Sequence, residues 1–90
     1  MKVVWRPMAP TDRETIMEHI GQDNLDAALR LDENFELKAE HARLRPMLYK
    51  KGRVAGTREI VVLPNYVMVY SITDDSVEIL RVMHARQKRP

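Results

Sequence analysis

The stretch Gly56–His84, "GTREIVVLPNYVMVYSITDDSVEILRVMH", decides the fold. Three runs rich in β-branched and aromatic residues follow one another, each bounded by turn chemistry. "TREIVVL" reads as a strand that Pro64-Asn65 breaks. "YVMVYSI" is the next strand. "TDDS" is a turn, because Asp side chains bond their own backbone and tolerate bends. "VEILRVMH" is the last strand. Together they predict an antiparallel meander. In its middle strand Tyr66, Met68, Tyr70 and Ile72 share one side, and Val67 and Val69 the other, so both faces are apolar. A two-residue "DD" loop would pair Val67 with Val82 and Met68 with Arg81. A three-residue loop would move every side chain of the last strand to the opposite face. The sequence leaves both registers open.

Upstream the period changes. "KVVWR", from Lys2 to Arg6, is a short first strand. "MAPTDRETIMEHIG" is helical: Thr11 and Glu14 have the spacing of a capping box, Asp12 and Glu14 suit the positive end of the helix dipole, and Gly21 is placed to stop it. A second helix starts near Asn24, with Asp23 or Asn24 as its cap, and runs to Arg43 or Leu44, with Pro46 beyond it. Ala28, Leu31, Phe35, Ala39 and Ala42 form its apolar stripe, widened by Leu25 and Leu29. The expected fold is α+β with the order β-α-α-β-β-β, a helical hairpin packed on one face of a small, mostly antiparallel twisted sheet, in a single domain over residues 1–90. Two helices cover only one face of such a sheet. The other apolar face is expected to meet a partner.

Several chemistries find no support. The chain has no cysteine, which excludes a disulfide framework and thiol catalysis and suits a cytosolic setting. His19, His41 and His84 lack metal-ligand spacing, so neither a metal nor another cofactor is expected. "GRVAG" has no lysine or following helix to make a phosphate loop, and Gly52 and Gly56 read as turn residues. Ser71 and Ser76 lack a nucleophile's setting. No apolar run approaches membrane-spanning length. Charge is the remaining signal. Residues 1–44 carry six Lys/Arg against nine Asp/Glu, and residues 45–90 carry nine against four. The basic half should steer an anionic partner. Its cations fall into two groups, Lys50, Lys51, Arg53 and Arg58 before and on one strand, and Arg81, Arg86, Lys88 and Arg89 on and after the last.

The stretch "GRVAGTREIVVLPNYVMVYSITDDSVEILRVMHARQ" resembles the C-terminal half of the RelE/ParE superfamily of bacterial toxins, in its ParE-like, plasmid-stabilisation branch. The resemblance rests on Gly56-Thr57-Arg58-Glu59, on Pro64-Asn65-Tyr66 with Tyr70, and on "VEILRV" running into His84-Ala85-Arg86-Gln87. It implies a toxin of a type II toxin–antitoxin pair, bound and neutralised by a cognate antitoxin in a hetero-oligomer. It also implies that the first strand lies at an edge or parallel to the last. RelE-like members cleave mRNA on the ribosome without a metal; ParE-like members act on DNA gyrase. RNA-cleaving members place a cation inside the third strand where this chain has Val67, and no Tyr follows Tyr70. His84 and Arg86 would be the catalytic pair of a nuclease. Lys50, Lys51, Arg53, Arg58, Arg81, Arg86, Lys88 and Arg89, with Val67 and Val69, are the expected surface for target or antitoxin. A protein target, gyrase, is favoured over mRNA, and a non-toxic binding module is the third reading.

Overall fold

A computed structural model describes residues 1–89. Its elements are β1 (Lys2–Trp5), α1 (Met8–Gly21), α2 (Leu25–Leu44), β2 (Arg58–Val62), β3 (Tyr66–Ile72) and β4 (Ser76–His84). The sheet order is β1-β4-β3-β2, with β1 parallel to β4 and the other neighbours antiparallel. The expected element order and layering are borne out. The helices cover one face. There Leu31, Phe35, Ala39 and Ala42 of α2 meet Ile60, Val62, Met68, Tyr70, Val77, Ile79 and Val82 of the sheet. Removing these side chains from water supplies the main stabilisation, about 1.5–3 kcal/mol for each large one. Arg13 ties the hairpin together: it donates to Asp32 and Glu36 on α2 and lies 4.6 Å over the Trp5 ring of β1.

The two candidate registers of the last hairpin are both present, joined by a bulge. Beside the turn Ile72 faces Val77 and Tyr70 faces Ile79, the two-residue-loop register. Beyond it Val69 faces Arg81, Met68 faces Val82 and Val67 faces Met83. Leu80 is the extra residue. A bulge lets β4 keep Val77 and Ile79 on the helix side near the turn, yet still bring Val82 there farther on.

Three sequence expectations are corrected. The capping box does not form: Pro7 precedes the first residue of α1 without a side-chain cap, and the Thr11 hydroxyl donates to Pro7 O at 3.3 Å from inside the helix. The sheet explains this. The Arg6 N–H donates to Ile79 O at 2.9 Å, so the chain leaves β1 there, and Pro7, with its fixed φ, turns it into a helix at once. Gly21 is the last helical residue, with Gln22 following in helical conformation. Finally, Leu25 and Leu29 do not widen the buried stripe; they are 63% and 46% exposed. The second helix otherwise starts as expected, with Asn24 accepting the Ala27 N–H at 3.0 Å.

Candidate functional site

The segment before β2 folds as a tight loop. The Gly52 N–H donates to Thr57 O at 2.8 Å, and Lys51 bridges Arg58. A Cβ on Gly52 would lie 2.3 Å from the Thr57 hydroxyl, so only glycine fits this close approach. Gly56 closes the turn at φ +81°. The loop is anchored from below by the Tyr70 hydroxyl, which donates to Pro46 O at 2.6 Å, and by Arg58, which donates to Tyr49 O at 2.5 Å. Burial pushes the Tyr70 phenol up, although Arg58 nearby favours its ionised form. An open cleft of about 540 Å³ lies beside the loop, lined by Met47, Lys51, Gly52, Thr57, Arg58 and Ile72.

The segment after β4 turns back on itself. His84 N–H donates to the Gln87 side chain at 2.7 Å, Arg86 N–H donates to His84 Nδ1 at 3.1 Å, and Ala85 N–H donates to Asn65 O at 2.7 Å. The His84 ring stacks edge-on against Tyr66, which in turn meets Phe35. Only Nε2 of this imidazole is left to face a ligand.

Glu59 joins the two basic segments. It alternates with Arg58 and Ile60 on β2 and so lies on the helix-free face, paired with Val69. Its carboxylate accepts the Arg53 N–H at 3.1 Å from the loop, and two Arg89 donors at 3.0 and 3.1 Å from the segment after β4. Both side chains are 3% exposed. The Arg89 hydrogen bonds, helped by the Arg53 amide and opposed by burial, hold the Glu59 carboxyl below the usual carboxylate range.

The expected site residues therefore divide. Lys50, Lys51, Arg53, Arg86 and Lys88 are exposed, and among the described residues they pair with no carboxylate. Arg58 is spent on the loop. Arg81 is drawn to the far edge of β4, where it meets Asp12 of α1 through two hydrogen bonds of 2.8 and 3.0 Å. The same carboxylate accepts the Val82 N–H at 2.9 Å, an edge amide beyond the reach of β1. Arg89 is buried on Glu59. Val67 and Val69 are each 4% exposed and so are not open surface, contrary to the sequence reading. With Met83 they form a second small cluster against which Ala85 packs. Val61 and Leu63, at 52% and 74% exposed, remain bare at the β2 edge of the sheet. Glu59 and Asp12 organise these cations, a role that the sequence alone does not indicate. The signal available for Glu59 was a lone acid at an alternating strand position within the basic half.

Comparison with known proteins agrees with this arrangement. Residues 3–89 match the family described as the ParE toxin of the type II toxin–antitoxin system parDE. The chain is 36% identical over 86 residues to Toxin RelE2 of Caulobacter vibrioides, covering 93% of this chain and 94% of that one. It is 34% identical over 91 residues to the putative toxin Y4kP of Sinorhizobium fredii, covering 99% and 93%. In fold it is similar to a chain of the chromosomal ParDE system of P. aeruginosa, with a TM-score of 0.84 at 16% identity, covering 96% of this chain and 97% of that one. The YoeB/ParE toxin of Agrobacterium tumefaciens follows with a TM-score of 0.66 at 22% identity, covering 93% and 98%. The chain belongs to the ParE toxin family of type II toxin–antitoxin systems, within the RelE/ParE superfamily.

Proposed function

We propose that this toxin arrests growth by acting on DNA gyrase, as part of a plasmid-stabilisation module in which a cognate antitoxin holds it inactive. The observation that carries the choice of a protein target is Val67. RNA cleavage by general acid–base chemistry needs groups that move protons and groups that hold the phosphate charge. Loss of one such stabiliser typically costs about 10²–10³ in rate. At this position the chain has a buried valine instead of a cation, and Arg81 and Arg89 are bound to Asp12 and Glu59. A protein-binding toxin needs none of that chemistry, only an exposed face and charge to steer association. The antitoxin would set acidic residues against Lys50, Lys51, Arg53, Arg86 and Lys88.

The second reading is ribosome-dependent cleavage of mRNA. It draws on the free Nε2 of His84 and on Arg86, whose amide bonds the same ring. Induction in cells with and without the cognate antitoxin tests toxicity, and unchanged growth would leave only the non-toxic binding module. The purified protein is then assayed for gyrase-dependent DNA breaks or lost supercoiling, and for cuts in ribosome-bound mRNA. Gyrase inhibition that survives His84→Ala is the expected result. Cuts in mRNA that vanish in His84→Ala and Arg86→Ala, with gyrase unaffected, would reverse the assignment.

A further inference from the structure

The helix-free face of the sheet is closed by the chain itself. Across it run two rows of paired residues, Glu59–Val69–Arg81 and Val61–Val67–Met83. The segment Ala85–Arg89 leaves β4, on one side of β3, and the ion-pair partner of Arg89, Glu59, lies on β2, on the other. The segment therefore has to cross β3 where Val67 and Val69 stand. Exposure along the second row follows the same path. Met83 and Val67 are 3% and 4% exposed, whereas Val61, beyond the segment's reach, is 52% exposed. The segment is itself cross-braced, with Arg89 donating to Ala85 O at 3.3 Å and to Gln87 O at 2.5 Å. It is thus a preformed turn resting on apolar side chains, held at its start by the Ala85 amide on Asn65 O and fastened at its far end by Arg89 on Glu59.

We propose that Ala85–Arg89 is a releasable strap, latched by Arg89 to Glu59, that covers Val67 and Met83 and so cuts off the apolar stripe that begins at the exposed Val61. The strap carries Arg86 and Lys88 outward, while its underside meets the sheet. The latch is a buried ion pair, and the physics of such pairs makes it a switch. Each ion is tolerated in the interior only while the other is present, so losing one leaves a buried charge that must regain water. Glu59 would then keep only the Arg53 amide, and the nearest way to solvent is to lift the strap. Opening would extend the bare patch at Val61 and Leu63 across β3 to Met83, without disturbing the helical face of the core.

The test compares the full chain with Glu59→Gln and Arg89→Gln under limited trypsin digestion, followed by mass spectrometry. Cleavage after Arg86 reports the strap, and cleavage after the exposed Arg30 on α2, which Glu59 does not touch, reports general loosening. The ratio of the two rates cancels general loosening. Cleavage tracks the population of the open form, so in each variant the ratio should rise at least about tenfold. Binding of an apolar fluorescent dye should rise with it, while the far-UV circular dichroism stays unchanged. The double variant should open no further than either single one. The proposal is overturned if the wild-type strap is cut as fast as that of Arg89→Gln, or if both sites accelerate together so that the ratio stays constant.

Discussion

Glu59 is the residue on which pH should act. Arg89 holds its carboxyl below the usual carboxylate range. A group depressed on folding stabilises the native state fully above its unfolded value, about 4.3 for glutamate, and that contribution is lost as pH falls through the folded value. The melting temperature of the wild type should therefore fall more steeply than that of Glu59→Gln as pH drops from about 5 to 3. The variant should be the less stable of the two at neutral pH. Parallel curves across that window would show that the pair contributes no linkage. Single residues were the least legible level of this sequence. In the sequence Asp12 reads as a helix-start acid, because with Glu14 it suits the positive end of the helix dipole. Its actual partners, Arg81 and the Val82 amide, lie about seventy residues away and become neighbours only once β1 ends short of them. No local pattern encodes that contact.

Elements were far more legible, because period and turn chemistry are local. The stripe Ala28, Leu31, Phe35, Ala39 and Ala42 is the buried set of α2, and "YVMVYSI" is β3 to the residue. The misreading of Leu25 and Leu29 shows where periodicity stops. Apolar spacing says which residues share a side of a helix, but the width of the buried stripe depends on what packs there, and the sheet meets the Leu31–Phe35–Ala39–Ala42 line. This distinction is measurable. Phe35→Ala should cost about 3–5 kcal/mol, through lost burial and the cavity left among Tyr66, Met68 and the strands. Leu29→Ala should cost within about 0.5 kcal/mol, as surface substitutions do. Denaturant melts of the two variants would check this, and comparable losses would mean that Leu29 is covered in solution. The bulge at Leu80 belongs to the same lesson. Loop length alone offers two registers and does not choose between them, and the packing of Val77, Ile79 and Val82 on one face requires both.

At the scale of the whole molecule the charge asymmetry becomes a surface. The acidic first half spends carboxylates within the fold, with Asp32 and Glu36 on Arg13, Glu40 on Arg43 and Asp12 on Arg81. The basic half has only Glu59 to set against the loop and the strap, which leaves Lys50, Lys51, Arg53, Arg86 and Lys88 uncompensated among the described residues. Cations that pair with nothing in the fold contribute little to its stability, but they shape the field met by an approaching partner. If the antitoxin is acidic where it meets this surface, the effect belongs in the association rate. Arg53→Glu and Arg86→Glu together should slow binding of the cognate antitoxin by at least about tenfold at low salt. The difference should shrink as ionic strength approaches about 1 M, where the screening length is only about 3 Å. The dissociation rate should change less, and the melting temperature should hold, because Glu59 binds the Arg53 backbone amide and, among the described residues, Arg86 pairs with no carboxylate. Stopped-flow association at two salt concentrations separates these terms. An association rate indifferent to both the substitutions and the salt would place the antitoxin on another surface. The bare apolar residues Leu44, Met47 and Leu48, at the end of α2, would then be the next to test.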